Sequence, residues 1–467
     1  MFNHLKNRKA AILLATLVLI LAQLACGTST TDQQATALPP TASSVQETSE
    51  PTAEATVTPT VTPTKEPTPS EQPATAAPAV QAIVLGAQGF GQNGQELAYA
   101  FLVENPNQGT AINTTEYQVA FYNAAGTVVG TDTGYINQLL PGQTLGLSGW
   151  MTLDEGITVD SVQIQLDAGF PESSDLTTTF TTDRISYYPN EFYSTATGVI
   201  TNPFAFDITD LRVSAIVYNA AGEIIGGGFT YLGFILANAS TGVEVFVTSA
   251  GEVDHIDLYP TLSGLSVQST AAELPADAQG IVVLKQGFGQ ILISAGYGML
   301  VQNPNAAYSV EGAMYSVTLY AADGSVITAT DSFIDTLLPN QTLGVSGVLY
   351  GDELAGATAE FFVYTGRLEA ATEMPTFTAQ NVVYTPDDYF PTVTGVIVSP
   401  YTQDISNLRV SAICYNRAGE IVGGGFTYLD FVPANGTAAV EVELTCTSAT
   451  ATVELYAAVA SLSEFGE

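Results

Sequence analysis

The chain has 467 residues, of which only 12% are charged, and its 10 Lys+Arg against 46 Asp+Glu give a formal net charge of −36. That length is enough for several domains rather than one. Three of the ten bases, Lys6, Arg8 and Lys9, precede the first cysteine and no acid does. The rest of the chain is acidic enough to be driven away from polyanions, which excludes nucleic acid and anionic lipid headgroups as partners.

Residues 1–25 read as a targeting segment: a basic start, an apolar run from Ala10 to Ala22, then Gln23-Leu24-Ala25-Cys26. This pattern resembles a bacterial lipoprotein signal, in which Cys26 is acylated and becomes the mature N-terminus. The residue three before the cysteine is Gln23 where that pattern usually has leucine, so an uncleaved anchor or an ordinary signal peptide remains the alternative. Residues 26–79 have no hydrophobic periodicity and are rich in Thr, Pro, Ala, Ser and Glu. Such a composition cannot bury enough apolar surface to order itself, and its prolines favour extended polyproline II. A disordered Pro/Thr-rich stalk is expected there.

From residue 80 apolar residues alternate, and the stretch repeats internally. Leu211–Leu232 (LRVSAIVYNAAGEIIGGGFTYL) returns at Leu408–Leu429 with three changes: Val217/Cys414, Ala220/Arg417 and Ile225/Val422. Looser copies stand at Glu116–Gly130 and Met314–Val326. Each reads as two strands around a turn in which Asn219, or its counterpart, opens a type I turn and Gly222 supplies the positive φ that ends it. A dipeptide ending in proline (Asn105-Pro106, Asn202-Pro203, Asn303-Pro304, Ser399-Pro400) precedes each turn tyrosine by 16 or 17 residues. A period near 100 residues with short strands predicts an all-β chain of four tandem β-sandwich domains, at 80–180, 181–278, 279–377 and 378–467.

The order Gly-Val-Ile-x-Asn-Pro, then Leu-Arg-Val-Ser-Ala-x-x-Tyr-Asn-x-x-Gly-Glu-Ile-x-Gly, resembles the FxLYD domain of bacterial surface lipoproteins. Asn-Pro-Asn is also similar to the related water-stress (WHy) type of sandwich. The resemblance covers about Gln81–Ser463 as four copies, best in the second and fourth. It departs at the family's signature Asp, which is Asn123, Asn219, Ala321 and Asn416 here. It implies immunoglobulin-like sandwiches in a cell-surface protein, with no catalytic residues to carry over.

Candidate sites are few. Gly226, Gly227 and Gly228 beside Phe229 and Tyr231, repeated as Gly423, Gly424 and Gly425 beside Phe426 and Tyr428, could expose backbone next to an aromatic platform for a ligand. Their alternative reading is a bulge or a close approach by another strand. Phe234 and Phe431 are expected in the core. Gly89-Phe90-Gly91-Gln92-Asn93-Gly94 spells a dinucleotide fingerprint, but a strand-like run comes next where a helix is needed, so it reads as a turn. Past residue 25 the one histidine is His255, which leaves no material for a His-dependent triad or a multi-His zinc site. No cofactor and no metal are expected. Cys414 and Cys446 stand where the earlier copy has Val217 and Ser249, and in an oxidising compartment two such changes predict a disulfide, free buried thiols being the alternative. The leading functional expectation is a non-catalytic, lipid-anchored protein on the outer face of the cell membrane that presents its sandwiches for binding or adhesion to an unidentified protein or glycan. The alternative is a solute- or glycan-binding subunit serving a transporter or envelope enzyme.

Overall fold

The computed structural model describes residues 80–467 except 177, 191–193, 270–273, 352–353, 372–373, 461 and 467. Cys26, the targeting segment and the Pro/Thr stretch therefore lie outside the described residues. Ala77–Glu467 forms one compact unit, and all the elements described in it are β-strands.

The strands fall into four successive groups with one pairing pattern. The first holds β1 (Val84–Asn93), β2 (Glu96–Glu104), β3 (Thr110–Tyr122), β4 (Val128–Leu139), β5 (Thr144–Thr152), β6 (Ser161–Leu166) and β7 (Phe170–Ser173). Antiparallel β1-β2-β5 makes its first sheet; β4-β3-β6, with β7 also on β3, makes the second. The two face each other over Phe101, Val119, Phe121, Ile136 and Leu147, which is a β-sandwich. The second group is β8 (Thr181–Tyr188), β9 (Ser194–Thr201), β10 (Asp207–Tyr218), β11 (Ile224–Ile235), β12 (Ser240–Ser249), β13 (His255–Thr261) and β14 (Val267–Ser269). The third is β15 (Val282–Ile291), β16 (Ser294–Gln302), β17 (Tyr308–Tyr320), β18 (Val326–Leu337), β19 (Thr342–Tyr350), β20 (Thr358–Tyr364) and β21 (Arg367–Ala370). The fourth is β22 (Thr378–Thr385), β23 (Thr392–Val398), β24 (Ile405–Asn416), β25 (Ile421–Val432), β26 (Thr437–Glu443), β27 (Thr445–Cys446), β28 (Thr450–Ala458) and β29 (Glu464–Phe465). Each group has its own core.

The turn chemistry explains the central hairpin of three groups; in the third, which has Ala321 there, Asp323 Oδ1 accepts from the Ser325 N–H instead. Asn219 Oδ1 accepts from the N–H groups of Ala221 and Glu223, both at 3.0 Å, and Gly222 closes the turn at φ 76°. The hairpin's register shifts between Val217 and Tyr218 as the extra residue is taken up. An aspartate would accept the same two bonds, so asparagine where the FxLYD pattern has Asp keeps the turn without the charge.

Asn105 is fully buried and ties the start of β3 to the turn before β5. Its Nδ2 donates to the carbonyls of Thr110, Leu139 and Leu140 at 2.8–3.2 Å, and its Oδ1 accepts from the Asn107 N–H at 3.0 Å. Asn303 repeats every one of these bonds, and Asn202 most of them. This accounts for asparagine in three of the four dipeptides, whose short amide reaches two or three converging carbonyls; in the fourth, Ser399 Oγ keeps only the bond from the N–H two residues on, at 3.2 Å. Asn303→Ala is expected to cost about 3 kcal/mol, because several buried polar groups lose partners at about 1–3 kcal/mol each. Chemical denaturation measures it; a loss below about 1 kcal/mol would show that water replaces the amide.

The groups are not beads on a string. The first sheet of each is covered by the second sheet of the next: β1-β2-β5 by β10 and β11, β9-β12 by β17 and β18, and β15-β16-β19 by β24 and β25. The sheets of the described residues therefore stack face on face. One core expectation fails for this reason. Phe234 is buried at 1% against Tyr364 of the third group, whereas its counterpart Phe431 is 59% exposed. Among the described residues no fifth group covers it.

Candidate functional site

The glycine triplets do not open backbone to a ligand. Gly226, Gly227 and Gly228 lie in β11 and are buried, as are Gly423, Gly424 and Gly425 in β25. Strand alternation turns successive Cα–H bonds to opposite faces, and both faces are crowded. A Cβ at Gly226 would overlap the Thr248 carbonyl oxygen and one at Gly228 the Phe246 carbonyl oxygen, both on β12 of the same group. A Cβ at Gly227 would point the other way, 3.1 Å from Ser148 Cβ and 3.3 Å from Ala100 Cβ of the preceding group. Gly424 is tighter still, 2.5 Å from the Tyr297 carbonyl oxygen and 2.9 Å from Ser346 Cβ. The glycines of the expected ligand surface thus form an internal junction, where close approach of a neighbouring strand is the reading that holds. Gly89 and Gly91, expected in a turn, lie within β1, where a Cβ would overlap the carbonyl oxygens of Ile224 and Ile225.

A half-buried arginine pins each of these two junctions. Arg212 Nη2 donates to the Ser148 carbonyl at 2.5 Å, and its guanidinium lies 3.9 Å from the Phe229 ring centroid. Ser148 Oγ in turn donates to the Gly228 carbonyl at 2.6 Å. Arg409 repeats the arrangement, with its Nη2 donating to the Ser346 carbonyl at 2.9 Å, Phe426 beneath it at 4.5 Å, and Ser346 Oγ on the Gly425 carbonyl. Phe229 and Phe426 are therefore half-buried platforms for the chain's own arginines. Two further bases cross junctions: Arg184 to the Gly324 carbonyl and the Tyr320 ring, and Lys285 to the Gly419 carbonyl and the Tyr415 ring. In so acidic a chain, most of the described bases are spent on holding sheets together.

Beneath the arginines lie paired tyrosines. Tyr99 OH donates to Asp132 at 2.7 Å, and Tyr297 and Tyr315 share a hydrogen bond at 3.2 Å. Burial drives the phenols of Tyr99 and Tyr297 far above the ordinary range. They stay neutral, and both rings are buried within their groups. Tyr415 is pushed up to about 12, chiefly by burial.

The junction between the second and third groups is built differently. Thr197 Oγ1 donates to the Val326 carbonyl at 2.7 Å, and the Gly233 N–H donates to Asp331 at 3.0 Å. One oxygen of Glu244 accepts from Thr328 Oγ1 at 2.6 Å and from the Ala329 N–H at 3.3 Å. Burial raises the carboxyl pKa values of both Glu244 and Asp331. A carboxyl with a raised folded pKa favours folding most below the unfolded value, and that benefit is lost as pH rises through the folded one. Glu244→Gln keeps an oxygen for both bonds without the charge. It should raise the melting midpoint at pH 7 by a few degrees, at about 2–4 °C per kcal/mol, and leave it unchanged at about pH 4, near the unperturbed glutamate value. Equal midpoints at both pH values would mean Glu244 ionises there without cost.

The remaining candidates are separate. Cys414 and Cys446 form a disulfide across the fourth core, with Cα atoms 6.3 Å apart. His255 stacks on Tyr218 and bonds Asp254 at an exposed strand end. Among the described residues no group of His, Cys, Asp and Glu could hold a metal ion. Tyr231 and Tyr428 are the exposed aromatic rings of the repeated stretch. Sequence reasoning passed over Arg212 and Arg409, although their presence in both copies of so base-poor a chain was the signal.

What fold and site define is an all-β stack of sandwiches. No protein-family model matches the chain, and no curated protein matches it. Among solved structures, a Bacteroides uniformis beta-glucuronidase 2 covalently bound to cyclophellitol-6-carboxylate aziridine is similar at 11% identity, over 51% of this chain and 26% of that one, with a TM-score of 0.12. An E. coli alpha-2-macroglobulin in its native conformation is similar at 8% identity, over 80% and 28%, also with a TM-score of 0.12. The chain spans little more than a quarter of the length of either, and a likeness of that size carries no argument.

Proposed function

We propose that this is a non-catalytic, lipid-anchored protein on the outer face of a bacterial cell membrane, which presents stacked β-sandwiches for binding or adhesion. The observation that carries the reading is the stack: scarce cations and glycines are spent on locking sheet to sheet, as a load-transmitting scaffold requires. The FxLYD resemblance, the cysteine after an apolar N-terminal run and the Pro/Thr stretch all support a tethered surface position. Cys26→Ser should shift the protein from the membrane to the soluble fraction, read by fractionation without detergent. A variant that stays membrane-bound argues for an uncleaved anchor instead of a lipid. A second reading, a solute- or glycan-binding subunit, draws on a cleft of about 770 Å³ between the third and fourth groups, lined by Leu338, Leu343, Met374, Phe377, Leu455 and Tyr456.

A further inference from the structure

The four groups are of two kinds in alternation. The first and third share LLPGQTLG (Leu139–Gly146) and LLPNQTLG (Leu337–Gly344), and the second and fourth share Leu211–Leu232 and Leu408–Leu429. Inside the chain, the second group's first sheet docks on the third group's second sheet, β9 and β12 against β17 and β18. The fourth group carries the same kind of first sheet, β22-β23-β26, and among the described residues no group covers it. The first group carries the same kind of second sheet as the third, and its outer face is also uncovered.

The fourth group keeps residues that dock in the second. Thr394 stands opposite Glu441 in register as Thr197 stands opposite Glu244, and Val396 takes the place of Val199. Thr197 and Val199 are 0% and 1% exposed, whereas Thr394 and Val396 are half-buried and Glu441 is exposed. The receiving face shows the same difference. Val326, whose carbonyl accepts from Thr197, is 0% exposed, and its counterpart Val128 is 49% exposed.

Two exchanges match these open ends to each other. A Cβ at Gly242 would lie 2.2 Å from Thr318 Cγ2. The fourth group has Ala439 in place of Gly242 and the first has Ala120 in place of Thr318, so the added methyl meets a smaller side chain. Likewise the Gly233 N–H donates to Asp331 at 3.0 Å. The fourth group has Asp430 for Gly233 and the first has Thr133 for Asp331. The acid changes sides and still faces a hydrogen-bond donor.

We propose that molecules of this protein associate head to tail, the open first sheet of the fourth group in one docking on the open second sheet of the first group in the next. The contact continues the alternation already present inside the chain. It is heterologous, so it builds a ring or a filament rather than closing as a dimer. Arg184 and Tyr188, which cross the inner junction to Gly324 and Val326, are Asn381 and Thr385 in the fourth group. Thr328, which donates to Glu244, is Gly130 in the first. Contact between molecules is therefore weaker than the junction inside one. It is reversible with concentration, and salt that screens the net charge of −36 strengthens it.

The test is sedimentation velocity of the purified full chain over rising concentration, on a Cys26→Ser background so that no acyl group contributes. The parent should form species larger than a dimer, and more of them at high salt than at low. Ala439→Arg blocks the fourth group's face and Ala120→Arg the first group's; each should weaken association at least tenfold, with circular dichroism showing both folded. Mixing these two variants leaves one matching pair of open faces, so dimers should return and nothing larger. A second measurement avoids the arginines: Thr394→Cys and Val128→Cys molecules should be joined by a short bismaleimide only when mixed. A parent that stays monomeric at every concentration and salt overturns the proposal. So does a mixture of the folded arginine variants that yields no dimer or grows beyond it, or cross-linking of either cysteine variant with itself.

Discussion

Gly424→Val is expected to be among the most damaging single substitutions in the chain, at about 4 kcal/mol or more, where point mutants become exceptional. A Cβ there meets the Tyr297 carbonyl oxygen at 2.5 Å and the Ala412 carbonyl oxygen at 2.9 Å. Both obstacles are backbone, so no rotamer change relieves them, and the branched side chain adds two methyl groups to the conflict. The third and fourth groups would have to separate, which uncovers Ile413, Tyr415 and Ile421 from Leu300. The matching control is Ala329→Val. Ala329 holds the same register position in the third group, opposite Thr318, but the junction there already accommodates a Cβ. Its cost should fall within the roughly 1–3 kcal/mol usual for overpacking. Thermal melting and limited proteolysis read both variants. If Gly424→Val melts within about 1 kcal/mol of the parent, close sheet approach is not what holds the junction.

The second large effect is loss of the bond between Cys414 and Cys446. It closes a loop with a sequence separation of 32, for which the chain-entropy account gives roughly 3–4 kcal/mol. The cleanest probe is the double substitution Cys414→Val with Cys446→Ser, since the second group carries Val217 and Ser249 at these positions and packs them well. Any loss then reports the cross-link rather than a cavity. The variant should unfold at lower denaturant concentration than the oxidised parent and match the reduced parent. A midpoint equal to that of the oxidised parent would place the stability of the fourth group wholly in its packing.

The FxLYD resemblance and the acidic composition bear on where the protein works, and the stack bears on how. Three successive junctions use the same two faces, so the groups are held to one another by sheet contact rather than only by their linkers. The first group differs from the middle ones. Its outer face carries Glu116, Gln118, Gln163 and Gln165 where the interior groups carry residues that dock, and all four are exposed. A polar terminal face keeps the free end of a repeat stack soluble.

Much of this was legible from residues close together in sequence. Asn219 and Gly222 specify their turn because the hydrogen bonds and the positive φ involve only neighbours. Alternation marks the strands because a pleated strand sends successive side chains to opposite faces. The disulfide could be anticipated because two copies of one stretch lie in the same chain, and Cys414 and Cys446 are changes from one copy to the other. What the tertiary structure alone decided is which second faces are covered. Phe234 and Phe431 are counterparts two residues past the repeated stretch, but one is buried and the other exposed. Tyr364, which covers Phe234, lies 130 residues further along the chain, and among the described residues Phe431 has no such cover. The glycine triplets turned on the same question. A strand with one covered face and a strand with two look alike in a window of ten residues, and only the arrival of another sheet distinguishes an open platform from a closed junction.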